Sequence, residues 1–178
     1  LGLLSRAYRE LVTEGRAAAR ALVGGMSEVP SAVDLTAALA KRVDFLSVGT
    51  NDLTQYLLAV DRNNAAVATP YDSLHPAVLH AVRHVVEEAH RQGKPAGVCG
   101  EIAGDPAGVL LLLGMGADTL SMNPTRLARV KGTIRRFTAQ QARALLEEAL
   151  ALEDGFAIHR LLVGALEEAG LGRRVPPP

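Results

Sequence analysis

The chain has 178 residues, 48% of them apolar and 21% charged, with 19 basic against 19 acidic side chains and a formal net charge of zero. This length supports one sizeable core and the composition excludes a disordered chain. The charge balance gives no footprint for nucleic acid or an anionic membrane, and 3% aromatic residues leave too few stacking platforms for single strands.

Cys99 is the lone cysteine, which excludes an internal disulfide framework and a multi-cysteine zinc site and suits a reducing cytoplasm. The longest apolar runs, such as Val109 to Gly116, are too short to span a bilayer. The amino terminus has neither a secretory pattern nor an initiator methionine, so a processed end or the start of a fragment is expected.

Leu3, Leu4, Ala7, Tyr8 and Leu11 recur at helical spacing and predict a first helix to about Gly15. A short apolar segment, Leu22 to Val29, precedes Pro30-Ser31 and a helix through Lys41. Val43 to Val48 is a buried-strand signal, stopped by Gly49-Thr50-Asn51-Asp52, and Leu53 to Val60 reads as a short helix. Asp61 to Ser73 is polar and loop-like. His75-Pro76 opens a long helix with Val78, Leu79, Val82, Val85, Val86 and Ala89 on one face, ended by Gly93.

Pro95 to Glu101 is a strand running into a tight turn. Asp105-Pro106 caps a helix through Leu113, closed by Gly114 and Gly116. Thr119 to Met122 is a fourth strand, and Pro124 starts a helix through Arg136. Residues 139–178 form a tail, helical over Ala139 to Leu152 and Phe156 to Ala169, that ends in Pro176-Pro177-Pro178. Strand and helix thus alternate, which builds a parallel sheet. Two α/β architectures fit, an open doubly wound sheet and part of a (β/α)8 barrel. A whole barrel takes about 250 residues, so this chain suffices for about half of one, and the open edges and core would need the other half or a partner.

Parallel α/β folds carry their active groups beyond the carboxyl ends of the strands. Those ends are Glu28, Thr50-Asn51-Asp52, Cys99-Gly100-Glu101 and Ser121-Met122-Asn123. Glu28 and Asp52, from adjacent strands, suit a hard divalent cation such as Mg2+, which takes one or two carboxylates, waters and substrate oxygens. Asp52 equally fits a helix cap, and Glu28 a surface carboxylate. Gly49-Thr50-Asn51 opens a helix whose backbone N–H groups attract anions, and Arg62 is either a phosphate clamp or a solvated loop arginine. Cys99 is a small buried hydrophobe or an acid at the rim, with Glu101 placed to tune the thiol. His80 and His84 stand at i, i+4 spacing, but without the glutamate of a metalloprotease helix they read as a solvated face. His75 reads as a loop-shaping residue.

Met26-Ser27-Glu28-Val29-Pro30, Val43 to Tyr56, Ala59-Val60-Asp61-Arg62 and Val98 to Asp105 together resemble enzyme I of the phosphoenolpyruvate-dependent phosphotransferase system. The likeness is strong from Leu3 to Phe137 and looser to Leu171. Asp61 to Asn64 and Leu74 to Leu79 look more like the nitrogen-type than the sugar-type enzyme. The resemblance implies a TIM-type (β/α)8 barrel, of which residues 1–178 supply roughly the carboxyl-terminal half plus the tail helices. It implies phosphoenolpyruvate and Mg2+ as ligands, with Glu28 and Asp52 on the metal and Gly49, Thr50, Asn51 and Arg62 at the substrate. Cys99 would protonate the enolate of pyruvate, supported by Glu101. Also implied are a phosphohistidine domain upstream, an HPr-type carrier protein as acceptor, and a cytoplasmic homodimer.

No phospho-accepting histidine motif and no first barrel half occur here, so the chain alone is expected to be inactive. Ser27 replaces the family's usual apolar strand residue. Two rival readings remain at this point: a non-catalytic dimerisation or partner-binding module, and a related Mg-dependent enzyme of pyruvate or phosphoenolpyruvate such as a dikinase, synthase, aldolase or lyase.

Overall fold

The computed structural model describes residues 2–64 and 71–172; part of the predicted loop Asp61 to Ser73 and the terminal Pro176-Pro177-Pro178 lie outside them. In chain order the elements are α1 (Gly2–Thr13), β1 (Gly24–Ser27), α2 (Pro30–Asp34), α3 (Thr36–Ala40), β2 (Phe45–Gly49), α4 (Thr50–Leu58) and α5 (Pro76–Arg91). Then follow β3 (Ala96–Cys99), a 3-10 turn (Glu101–Gly104), α6 (Pro106–Met115), β4 (Thr119–Ser121), α7 (Pro124–Ile134), α8 (Ala139–Leu150) and α9 (Gly155–Glu168).

Four strands form one parallel sheet in the order β1-β2-β3-β4. Strand order that follows chain order keeps every crossover turning the same way, so helices accumulate on one face. The register makes this visible. Ser27, Val48 and Val98 stand side by side, all at most 1% exposed, and Leu46 and Ala96 pair in the same orientation. These residues face the helices. Alternation sends Met26, Ser47, Gly97 and Thr119 to the other face, where Met26 is 50% exposed and Thr119 is also exposed. A doubly wound sheet reverses its strand order and covers both faces, whereas this sheet does neither. The sheet is open, and among the described residues no helix covers its inner face.

The helix side holds the core. Val48, Val98, Val78, Leu79, Val82, Leu110, Leu111, Leu112, Ile158 and Leu162 belong to one buried cluster. Each such aliphatic side chain contributes roughly 1.5–3 kcal/mol by leaving water. Helix α6 is apolar all round and nearly every residue in it is buried, which requires neighbours on all sides. The tail supplies several of them, because Leu146, Ala149, Ile158, Leu162 and Leu166 pack in the same cluster. Residues 139–172 are therefore integral to the core. Ser27 Oγ is buried and has no hydrogen-bond partner among the described residues.

The predicted helix Pro30 to Lys41 is two short ones. Thr36 Oγ1 turns back onto the carbonyls of Ala32 and Val33, at 3.2 and 2.7 Å, and Leu35 leaves helical geometry with φ −98° and ψ 12°. Threonine hydroxyls that bond back in this way bend helices. The helix starts at Pro76, Pro106 and Pro124 fall where the sequence places them, each behind a side-chain cap: His75 Nδ1 accepts from Ala77 N at 3.1 Å, Asp105 Oδ2 from Gly108 N at 3.1 Å and Asn123 Oδ1 from Thr125 N at 3.0 Å.

Candidate active site

The carboxyl ends of the strands bring Glu28, Gly49, Cys99 and Ser121 into one row on the inner face. Cys99 pairs with Gly49 on one side and Ser121 on the other, and Glu28 follows the last residue of β1. Gly49 lies between the acid and the thiol and has no side chain. A Cβ there would stand 2.9 Å from both Glu28 Cβ and Glu28 Oε2 and 3.2 Å from Met26 Sδ, and Gly49 is itself buried, so glycine is what lets the Glu28 side chain lie across the end of β2.

Helix α4 begins at Thr50, earlier than its apolar pattern predicts. Thr50 Oγ1 donates to the Cys99 carbonyl at 2.7 Å, and Thr50 is 1% exposed. Its hydroxyl is thus spent inside the protein, and its backbone is what remains for a ligand. Asn51 Oδ1 accepts from Glu101 N at 2.9 Å and from the Tyr71 hydroxyl at 3.4 Å. A backbone N–H only donates, so the oxygen of Asn51 is fixed there and its NH2 faces the other way. Among the described residues that NH2 has no acceptor, leaving two donors for an anion. These bonds staple the Asn51 turn to the Cys99-Gly100-Glu101 turn. Gly100 makes the staple possible: its φ is +108°, and a Cβ would run into Thr50 Oγ1 and come within 2.9 Å of Asn51 Oδ1.

Asp52 lies in the first turn of α4, and Gly49 is the cap position, with no side-chain cap. The capping reading of Asp52 therefore fails. Its Oδ1 accepts from Gln55 Nε2 at 3.2 Å, and Gln55 Oε1 accepts from Arg62 N at 3.0 Å. Arg62 is exposed and its guanidinium lies near Tyr71. Burial raises the pKa of the Tyr71 hydroxyl, with the Glu101 charge adding to the rise and Arg62 opposing it. Tyr71 thus joins Asn51, Arg62 and Glu101, though it sits in an irregular loop where no periodicity marks it.

Cys99 is half-buried. Its thiol lies 3.4 Å from the Val48 carbonyl, 3.9 Å from Ser47 Oγ and 4.0 Å from Met26 Sδ. It faces the open side of the sheet, unlike an inert core thiol. Glu101 is exposed in the 3-10 turn, with its charge felt at Tyr71 and its N–H bound by Asn51, and the contacts of Cys99 do not include it. A cleft of about 990 Å³ at the ends of β3 and β4 is bounded by Asn51, Glu101, Ser121, Asn123 and Arg126, while Glu28, Asp52, Arg62 and Cys99 lie outside it. His80 and His84 are exposed on α5, and no cluster of three or more histidine, cysteine or carboxylate side chains able to hold a metal occurs among the described residues. Nor is any described helix long and apolar enough to cross a membrane.

The motifs around these residues match a family model described as PEP-utilising enzyme, PEP-binding domain, over residues 2–139. The chain belongs to this family. All four of Glu28, Asp52, Arg62 and Cys99 fall inside the PEP-utilising match. Over 171 residues the chain is 44% identical to a Salmonella typhimurium protein named phosphoenolpyruvate-dependent phosphotransferase system, with 96% of the chain and 23% of that protein covered. A phosphoenolpyruvate-protein phosphotransferase of Cupriavidus necator is 46% identical over 155 residues, covering 86% of the chain and 26% of that protein. Another, of Haemophilus influenzae, is 46% identical over 149 residues, covering 84% and 26%. The chain thus spans about a quarter of the length of these PEP-utilising relatives, and the resemblance read from its motifs is borne out.

Proposed function

We propose that the chain is the carboxyl-terminal part of the phosphoenolpyruvate site of a phosphotransferase, which moves the phosphoryl group to a histidine of the same longer protein and then to an HPr-type carrier, releasing pyruvate. The observation that carries the reading is the row Glu28, Gly49, Cys99 beside the Asn51 turn, within a PEP-binding family match. The bare inner face supports a closed (β/α)8 barrel in the longer protein, with this chain as its carboxyl-terminal half. The longer protein is, on this reading, a cytoplasmic homodimer of the nitrogen type.

Gly49 lets the Glu28 carboxylate lie over the end of β2, next to the first turn of α4 that carries Asp52, and two carboxylates suit Mg2+ better than a metal needing a closed protein cage. Glu28 and Asp52 would hold it. When bound, Mg2+ supplies positive charge to offset the phosphate and the developing enolate. The NH2 of Asn51, the N–H groups at the start of α4 and the Arg62 guanidinium bind and orient the phosphate. As the enol oxygen–phosphorus bond breaks, the phosphoryl group passes to a histidine nitrogen and the electron pair stays on the enolate. Cys99 then gives its S–H proton to the methylene carbon, which becomes the methyl of pyruvate, and a thiolate remains.

The test is transfer from phosphoenolpyruvate labelled on phosphorus to the longer protein that carries this chain. Acid-labile, base-stable label on histidine with equimolar pyruvate is expected. Pyruvate without a labelled protein would point to a lyase or hydrolase instead.

A further inference from the structure

Gln55 belongs to no step above, yet both ends of its amide are engaged. Nε2 donates to Asp52 Oδ1 at 3.2 Å and Oε1 accepts from Arg62 N at 3.0 Å. The assignment of the two ends is chemically forced. A backbone N–H only donates, so it must meet the oxygen, and an ionised carboxylate only accepts, so it must meet the nitrogen. The bond to Asp52 runs along one helical turn, where i and i+3 side chains meet. The bond to Arg62 crosses seven residues, past the end of α4 at Leu58, where Ala59 takes a left-handed conformation with φ 54° and turns the chain. Arg62 itself is exposed, and its side chain meets Tyr71. Val60 N donates to the Gln55 carbonyl at 2.9 Å at the end of α4, and the Gln55 amide extends that attachment to the Arg62 backbone.

We propose that Gln55 is a positioning residue that sets the metal carboxylate Asp52 and the phosphate-binding Arg62 at a fixed separation. The proposal rests on the phosphoenolpyruvate reading given above. One oxygen of Asp52 is held by the amide and the other is left for the cation, so the amide selects which face of the carboxylate is presented. The same amide anchors the start of the Arg62 loop, so the guanidinium is offered to the anion without first ordering its backbone. Ordering one residue's backbone costs about 1–2 kcal/mol, so a loss on the order of tenfold in affinity is the expected consequence of cutting the tie.

The experiment is a double-mutant cycle in the longer protein, read as the dissociation constant for phosphoenolpyruvate at saturating Mg2+. Gln55→Met keeps length and helix propensity while removing donor and acceptor, and Gln55 lies half-exposed, so the fold should persist. In the Arg62 background Gln55→Met should weaken binding about tenfold, and in an Arg62→Ala background less than about threefold, because contacts that act through one another are not additive. Equal losses in both backgrounds would overturn the proposal and leave Gln55 as a merely structural residue.

Gln55→Glu is the second variant. It keeps an oxygen for Arg62 N–H but sets a second carboxylate against Asp52, and a like charge at contact distance raises the attraction for a cation. Mn2+ affinity without substrate, read by the paramagnetic signal of the free ion, should rise about threefold. Unchanged Mn2+ affinity would remove Gln55 from the metal carboxylate. If Arg62→Ala alone leaves phosphoenolpyruvate binding intact, the site assignment fails, and that outcome is distinct from failure of the Gln55 link.

Discussion

At Cys99 the decisive fact is the direction of the thiol. It stands on the inner face, in register with Gly49 and Ser121, with polar neighbours at Ser47 and Val48 O. A cysteine kept for packing would point to the helix side, where Val48 and Val98 lie. Cys99→Ala in the longer protein should therefore slow pyruvate release by at least about a hundredfold, as expected for loss of a general acid. Substrate affinity should stay within about threefold, since the thiol is not among the groups that bind the phosphate. Parallel loss of rate and affinity would return Cys99 to a packing role. The residue types at the strand ends were readable from the sequence, because a parallel α/β pattern dictates where active groups gather. The amide orientations were not. The amides of Asn51 and Gln55 are oriented by Glu101 N–H and Arg62 N–H, whose positions depend on turns that no periodic signal encodes.

The elements that matter most for the site are β3 and the turn after it. Their other end is held by Asp118, which accepts from Ala96 N at 2.7 Å and binds His90 Nε2 at 2.9 Å, joining β3 and the start of β4 to α5. Burial works to raise the Asp118 pKa, but the bonds from His90 and the Ala96 N–H outweigh it, and the value in the folded chain is lowered. A lowered carboxylate pKa gives stability that is full above the unfolded value of about 3.9 and is lost as pH falls through the folded value. The side chain is 42% exposed, so solvent limits the contribution to under about 1 kcal/mol. Asp118→Asn should lower the neutral-pH melting temperature slightly and flatten the decline in stability below about pH 4. Identical acid curves for the two proteins would contradict this account. Elements with strong periodicity, α5 above all, lie where the sequence predicts them. The misjudged ones, α2 with α3 and the start of α4, are set by Thr36 back-bonding and by Thr50 reaching across to β3, contacts that only tertiary structure supplies.

At the scale of the whole molecule, helices cover one face of the sheet, and among the described residues none covers the other. Helices α4, α5 and α6 with the tail helices form a continuous core, so the half that is present is well packed. The family match ends at residue 139, yet Leu146, Ile158 and Leu162 complete the burial of α6, so the tail is part of the same folding unit. Sequence alternation revealed the parallel sheet but left its winding open. The strand order β1-β2-β3-β4 and the one-sided burial decide in favour of single winding. The central claim is that the bare rim binds phosphoenolpyruvate through a metal held by Glu28 and Asp52 and an anion clamp that includes Arg62. Calorimetric titration of the longer protein with phosphoenolpyruvate tests it most directly. The account predicts Mg2+-dependent binding that weakens on the order of a hundredfold in Arg62→Ala and in Asp52→Asn, as expected when one partner of a desolvated charge pair is removed. Absence of binding, or binding that ignores Mg2+ and both substitutions, would contradict it.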